Sequence, residues 1–242
     1  MQEMFDEIKR HFILNFINDD RWRFLVNGLG VTLRITFFAL LLGICIGVVV
    51  AIVRSTHDKN AVNMRRGFGY FILKFCNGIC RIYLTVIRGT PVVVQLMIFY
   101  FVILVSIRNG ELIGIIAFGI NAGAYIAEIF RSGIMSIDNG QFEAGRSLGF
   151  NYIQTMRHII IPQAFKNILP TLANEFIVLL KETAVVGYVA VQDLTKAGDI
   201  IRGRTFSAFM PLIAVALIYL ALVMFFTWLV GKLERRLRNS EH

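Results

Sequence analysis

Residues 143–162 read EAGRSLGFNYIQTMRHIIIP, a polar and basic stretch between apolar runs that are long enough to cross a membrane. Connections between regular elements are usually short, so a connection of this length and composition is expected to have a structure and a role of its own. The apolar runs on both sides decide the fold class, because about 20 consecutive apolar residues form a helix that crosses about 30 Å of hydrocarbon.

The chain as a whole has the composition of a membrane protein. Its 242 residues are 56% hydrophobic and its mean hydropathy is +0.65, whereas soluble domains are about 45–50% apolar. We therefore predict an all-α, polytopic membrane helix bundle of about five transmembrane helices. Pro91 is expected to open or kink the second crossing, and residues 67–88 before it are expected to form partly an interfacial helix. The expected spans are about 25–53, 80–106, 111–134, 172–191 and 209–231.

Positive charge is distributed unevenly between the two faces of this bundle. Fifteen Lys and Arg side chains fall on one face and eight on the other. Because cytoplasmic loops are enriched in Lys and Arg, this distribution predicts an N-terminus outside the cell and a cytoplasmic tail at residues 236–242. The stretch 143–162 is then cytoplasmic.

Residues 1–24 precede the first span. Acidic side chains near their start, such as Glu3 and Asp6, argue against a cleavable signal peptide. Apolar residues recur at helical spacing between Ile8 and Ile17, which predicts an amphipathic helix lying in the membrane interface. Membrane lipid is therefore an expected contact of this segment.

Small residues recur every four positions in two of the expected spans. Such rows let helix backbones approach closely, either inside one chain or at a contact between subunits. The residues are Ala39, Gly43, Gly47 and Ala51 in the first span, and Gly119, Gly123 and Ala127 in the third.

The quoted stretch is predicted to form two short helices at a fixed angle. The first covers about 139–148 and is followed by Gly149, a residue suited to the left-handed conformation that ends many helices. Asn151 and Gln154 have the spacing of a capping box, so a second helix is expected to start there and to end at Pro162. A rigid unit of this kind would transmit force, whereas a flexible loop would absorb it.

Residues 138–162, here called the coupling segment, resemble the cytoplasmic EAA loop of ABC importer permeases. The loop pattern is EAA, three residues, G, nine residues, I, one residue, LP. Gly145 replaces the last alanine, which is expected to weaken its helix by up to about 1 kcal/mol, and Ile161 replaces the leucine. The matching residues are Glu143, Ala144, Gly145, Gly149, Ile159 and Pro162.

Three further runs resemble the polar amino-acid uptake permeases, the histidine, glutamine and arginine group. They are RGTPVVVQLMIFYFVIL at 88–104, NAGAYIAEIFRSGI at 121–134 and LLKETAVVGYVAVQDL at 179–194. The resemblance covers most of residues 25–235, which it identifies as an ABC transporter transmembrane domain of the type I importer fold in a bacterial inner membrane.

The resemblance implies several partners. A second permease chain, either another copy or a related chain, would complete the pore, and an extracytoplasmic binding protein would deliver an amino acid. The helix bearing Glu143 would dock on one of a pair of ATPase subunits, whose closure would drive alternating access. The sequence lacks a G-x-x-x-x-G-K-[ST] loop, so ATP and Mg²⁺ are expected in the ATPase and no cofactor in this chain.

Other classes of function are less consistent with the sequence. An integral membrane enzyme is not expected, because H-E-x-x-H does not occur. GRSLG at 145–149 fits G-x-S-x-G, but it lies in a predicted helix and its glycine corner, whereas a nucleophile elbow needs a turn from a strand into a helix. The four histidines lack metal-ligand spacing, and the basic residues do not form a nucleic-acid-binding face. A stand-alone secondary transporter or channel is the alternative, and it would move solute without ATP or a second polypeptide.

Charged residues inside the expected spans need a reason, because a charge at the bilayer centre costs about 2.5–3.5 kcal/mol. We predict that Lys181, near the middle of the fourth span, faces a solute carboxylate and that Glu128 or Glu182 faces an ammonium group. A Glu128–Lys181 ion pair that only holds helices together is the alternative. The expected solute pathway comprises Glu128, Lys181, Glu182, Thr183 and Gln95, although Gln95 has a bond to a neighbouring helix as its alternative role.

Arg88, Gly89, Thr90 and Pro91 are predicted to form a hinge or gate at the cytoplasmic mouth. Glycine and proline interrupt helices, and non-helical backbone at membrane depth is tolerated where protein or water satisfies it. A kink without a gating role is the alternative.

Overall fold

The computed structural model describes residues 1–60 and 67–238, and within these ranges the regular elements are all helical. The predicted all-α fold is therefore confirmed. The α-helices are α1 Gln2–Phe12, α2 Trp22–Asn60, α3 Phe68–Gly89, α4 Val92–Ile98, α5 Gly110–Met135, α6 Asn139–Ser147, α7 Tyr152–Thr155, α8 Ile161–Glu182, α9 Leu194–Thr205 and α10 Phe209–Arg238.

Four of the described helices are long and apolar enough to cross a membrane: Trp22–Asp58, Phe68–Gly89, Gly110–Met135 and Phe209–Leu237. The first, third and fifth expected spans lie within α2, α5 and α10. The interfacial place predicted for the N-terminal segment stays a prediction. Its helix α1 exposes large apolar side chains, including Phe5 and Phe12.

The chain breaks within the expected second span, at the position where Pro91 was predicted to open or kink it. The backbone is extended at Thr90 and Pro91, so α3 ends at Gly89 and α4 begins at Val92. A π-helical turn continues α4 to Ile103. Proline has no N–H to donate and restricts the residue before it, which explains why the chain breaks at this point.

The α-helix of the expected fourth span, about 172–191, ends before the span does. Helix α8 ends at Glu182, and a 3-10 helix continues from Thr183 to Val189. Lys181 and Glu182 therefore lie at the end of a helix and not near its middle.

Helices α2 and α5 form the centre of the fold. A Cβ built at Gly47 would lie 2.6 Å from Ile126, and one at Gly119 would lie 2.6 Å from Leu42. The rows of small residues therefore pack against each other inside one chain. The core around this contact contains Ile35, Ala39, Phe118, Ala122, Ile126 and Leu179.

Candidate functional site

The coupling segment contains the predicted corner between two helices. The Asp138 side chain accepts from the N–H of Gly140 and caps the start of α6. At the other end, Gly149 has φ +78°, Phe150 N–H donates to Gly145 O, and Gly149 N–H donates to Arg146 O. These two bonds form a Schellman motif, in which a left-handed glycine satisfies the last carbonyls of a helix. The prediction for Gly149 is confirmed.

Gly145 has a packing role that the sequence did not reveal. A Cβ at this position would lie 2.7 Å from both Thr155 Oγ1 and Thr155 Cγ2. Thr155 is buried, and its hydroxyl donates to Asn151 O. Glycine at the third position of the EAA pattern therefore lets α6 and α7 approach closely.

The second helix begins as predicted but does not end at Pro162. Asn151 and Gln154 form both bonds of a capping box, each at 2.9 Å. The helix then passes through a π-helical turn, Met156–Ile160, and continues directly into α8. Pro162 is tolerated because it lies in the first turn of α8, after the π-helical turn has changed the hydrogen-bonding register.

A buried apolar cluster joins the coupling segment to α5 and α8. Phe142 of α6 packs with Ile134 at the end of α5, and Ile159 packs against the same cluster. A Cβ at Gly133 would overlap Ile168 of α8, so these two helices are also in close contact. The other buried members are Ile160, Ala164 and Ile168. A displacement of the coupling segment is therefore expected to move the ends of both helices.

The opposite face of the coupling segment is exposed. Glu143 and Ala144 are exposed on α6. Leu148 and Ile153, on either side of the corner, keep 71% and 74% of their surface accessible. A segment that exposes an acidic side chain and two large apolar side chains is suited to contact another protein.

The break between α3 and α4 is braced by one side chain. Gln95 Nε2 donates to Ile87 O at 2.7 Å, to Thr90 O at 3.0 Å and to Thr90 Oγ1 at 2.8 Å. Asn121 Nδ2 of α5 donates to Gln95 Oε1 at 3.0 Å. Gln95 is buried and bonds a neighbouring helix, and its place in the solute pathway stays a prediction.

Glu128 lies in a network of arginines near the end of α5. Its Oε1 accepts from Arg131 Nη2 at 2.5 Å, and Arg88 Nη1 lies 3.9 Å from its Oε2. Arg131 also contacts Asp58 of α2 at 3.4 Å. Among the salt bridges of residues 1–60 and 67–238, none joins Glu128 to Lys181, so the proposed ion pair is wrong. The predicted ion pair assumed contact between the third and fourth spans, whereas the partners of Glu128 lie on α3 and on α5 itself.

The remaining pathway candidates have different environments. Lys181 is exposed, and Glu182 is half-buried at the end of α8. Thr183 is fully buried and lies 3.3 Å from the hydroxyl of Thr36. The structure therefore brings Glu128 close to Arg88 and Gln95 close to Thr90, but it does not unite all five candidates around one cavity.

Two arginines that sequence reasoning did not select also lie near Glu128. Arg54 and Arg81 line the same cleft as Arg88. Arg81 and Arg88 are seven residues apart, a spacing that places two side chains on one face of a helix and could have identified them. Arg54 could not be identified in this way, because its place in the cleft depends on the packing of α2 against α3.

The helix bundle and its coupling segment together define a polytopic membrane transport protein. The family described as binding-protein-dependent transport system inner membrane component matches residues 67–239. The chain belongs to this family.

Several named relatives are similar over nearly their full length. A putative glutamine transport system permease protein GlnP of Rickettsia typhi is 36% identical over 88% of this chain and 93% of the relative. The arginine transport system permease protein ArtQ of Bacillus subtilis is 34% identical over 90% of this chain and 94% of the relative. The glutamine transport system permease protein GlnP of Escherichia coli K12 is 33% identical over 88% and 93%.

Solved structures support the same fold. A structure described as an amino acid ABC transporter with histidines is 39% identical and has a TM-score of 0.78, covering 88% of this chain and 94% of that chain. An inward-facing MetNI methionine ABC transporter has a TM-score of 0.76 at 20% identity, covering 91% and 99%, and this likeness concerns the fold alone. The predicted type I importer fold is confirmed.

Proposed function

We propose that this chain is the permease subunit of an ATP-driven importer of amino acids. The names of the glutamine and arginine permeases support an amino-acid solute. An extracytoplasmic binding protein delivers the solute, and a second permease chain, identical or related, completes the pore. ATP and Mg²⁺ bind to a separate pair of ATPase subunits.

The proposed orientation places the N-terminus outside and the C-terminus in the cytoplasm of a bacterial inner membrane. The excess of Lys and Arg on one face supports this arrangement, because such residues are retained on the cytoplasmic side. The coupling segment then faces the cytoplasm, where ATP is available.

The observation that carries the proposal is the two-sided construction of the coupling segment. Its inner face packs through Phe142 onto α5 and α8, while Glu143, Leu148 and Ile153 are exposed on the outside. The outer face docks on the ATPase, and closure of the ATPase pair moves α5 and α8 as rigid helices. Alternating access follows from that movement.

The solute pathway proposed here uses the end of α8. Lys181 faces the solute carboxylate and Glu182 its ammonium group, since both retain solvent access. Thr183 and Gln95 belong to the proposed pathway as buried polar side chains. Glu128 contributes its charge to the pathway together with its arginine partners. Residues 88–91 form the hinge, and Gln95 braces it.

Reconstitution tests the proposed function. The chain should copurify with an ATPase, and proteoliposomes holding both should take up an amino acid only when ATP and the binding protein are supplied. A panel of amino acids would identify the solute through stimulated ATP hydrolysis. Uptake by the purified chain without ATP would instead establish a stand-alone transporter or channel.

Three substitutions test the pathway. Lys181→Met and Glu182→Gln are expected to raise the solute concentration that gives half-maximal uptake, and Glu128→Gln is expected to change it less, since Glu128 is held by arginines. Unchanged half-maximal concentrations in all three variants would remove these residues from the pathway.

A further inference from the structure

An open cleft of about 750 Å³ lies between α2, α3 and α5. Three arginines line it: Arg54 from α2, and Arg81 and Arg88 from α3. Thr85 adds a hydroxyl, and Arg88 stacks over the ring of Tyr125 with 5.5 Å between its guanidinium carbon and the ring centroid. The lining of the cleft is therefore strongly basic.

The carboxylates nearby do not neutralise these arginines. Glu128 lines the cleft, but its shortest bonds are to Arg131, and its distance to Arg88 is 3.9 Å. Asp58 is the second carboxylate of the network and also contacts Arg131. The four arginines of this region therefore outnumber its two carboxylates, which leaves an excess of positive charge at the cleft.

Two of the arginines have unused donors. Arg54 Nη1 donates to Asn77 Oδ1 at 3.2 Å, but the buried Arg54 Nε has no hydrogen-bond partner in residues 1–60 and 67–238. Arg81 forms no salt bridge with any residue that the structure describes. Arg81 is exposed on the lining of the cleft, so its donors are available to a ligand. Arg54 Nε is buried without the partner that would offset the cost of its burial.

Helix α3 also presents an apolar stripe beside the cleft. Arg81, Thr85 and Arg88 share one face of the helix, since residues four and seven apart are on the same side. The exposed stripe contains Phe68, Phe71, Ile72, Phe75, Ile79, Ile82 and Val86. Basic and apolar surfaces side by side are suited to the headgroup and acyl chain of a lipid.

The cleft lies near one end of the bundle. Glu128 is seven residues before the last residue of α5, Met135, a distance of about 10 Å along the helix. The coupling segment follows directly after α5. The cleft is therefore at a depth where headgroups or an entering or leaving solute can reach it.

We propose that this cleft binds an oxyanion, either the phosphate of an anionic lipid headgroup or the carboxylate of the transported solute. Guanidinium groups bind both through charge-assisted hydrogen bonds, often two at a time. For the lipid phosphate the inference goes beyond the proposed function, because this ligand would bind here whichever solute is carried. For the solute carboxylate it rests on the proposed function and adds a second contact to the one proposed at Lys181.

Lipid binding is the first arm of the test. The purified permease, with the subunits that copurify with it, is placed in phosphatidylcholine nanodiscs, and retention of added phosphatidylglycerol is measured by native mass spectrometry. Arg81→Gln and Arg54→Gln should each weaken retention about fivefold, the effect of about one basic side chain at a membrane surface. Arg81→Lys keeps the charge and should keep most of the binding.

Lys74→Gln is the matched control, because Lys74 is exposed on α3 but does not line the cleft. The second arm measures binding of radiolabelled amino acids in phosphatidylcholine alone. Weaker solute binding in Arg81→Gln, with unchanged phosphatidylglycerol retention, would assign the site to the solute carboxylate. The proposal is overturned if neither ligand binds more weakly to the arginine variants, or if Lys74→Gln has the same effect.

Discussion

The backbone of Gly145 lies directly against the side chain of Thr155, and a Cβ at Gly145 would come within 2.7 Å of two of its atoms. This contact holds the two helices of the coupling segment together at the corner. Glycine at this position departs from the EAA pattern, and its packing against Thr155 explains the departure. The angle between the helices therefore depends on both residues.

Gly145→Ala is expected to destabilise the protein by about 1–3 kcal/mol, the usual cost of an overpacked site. The double substitution Gly145→Ala with Thr155→Ala should recover most of that loss, because it removes the two clashing atoms. Thermal unfolding of the purified complex and ATP-driven uptake provide the measurements. Equal stability of Gly145→Ala and the unmodified protein would show that the contact is unimportant.

Substitutions at Gly149 separate backbone strain from crowding. Apart from its two chain neighbours, no heavy atom of residues 1–60 and 67–238 lies within 4 Å of the place where a Cβ would be, so the cost comes from the positive φ. Gly149→Asn should be tolerated, whereas Gly149→Val should cost about 1–2 kcal/mol and reduce uptake. If valine and asparagine give the same uptake at equal expression, the left-handed corner is not required.

Glu143→Ala tests docking without disturbing the fold. Glu143 is exposed, so the unfolding temperature and membrane insertion should stay unchanged while solute-stimulated ATP hydrolysis and uptake fall. Glu234→Ala, which removes another exposed carboxylate from α10, serves as the control and should have normal uptake. Full transport by Glu143→Ala would count against the docking role.

Gln95→Leu tests the brace at the break between α3 and α4. The substitution leaves the carbonyls of Ile87 and Thr90 without their donor, and it should destabilise the protein by about 1–3 kcal/mol. Asn121→Ala removes one bond of the same set and should cost less. Comparable stability of Gln95→Leu and the unmodified protein, measured by thermal unfolding, would exclude a bracing role.

Much of the coupling segment could be predicted because its signals are local. The left-handed Gly149 and the capping box between Asn151 and Gln154 depend on neighbours within a few residues. The prediction that the second helix ends at Pro162 was wrong, because the preceding π-helical turn lets the helix continue. The role of Gly145 depends on Thr155, ten residues away across the corner, and no pattern within α6 indicated it.

Ion pairing was the least predictable feature. Glu128 and Lys181 are opposite charges in neighbouring expected spans, which made their pairing plausible. The structure instead gives Glu128 a partner one turn away, Arg131, and another on α3, Arg88. Choosing between such partners requires the packing of α3 against α5, and hydropathy does not determine it.

Cross-linking from the tip of the coupling segment tests the central claim most directly. The three natural cysteines, Cys45, Cys76 and Cys80, are free and would first be replaced by serine. A cysteine-attached photo-cross-linker would then be introduced at Leu148→Cys or Ile153→Cys, with the exposed Phe206→Cys as the control. We predict that both tip positions link to the ATPase, that nucleotide changes the yield, and that Phe206→Cys gives no such product. An intact complex in which neither tip position reaches the ATPase would contradict the account.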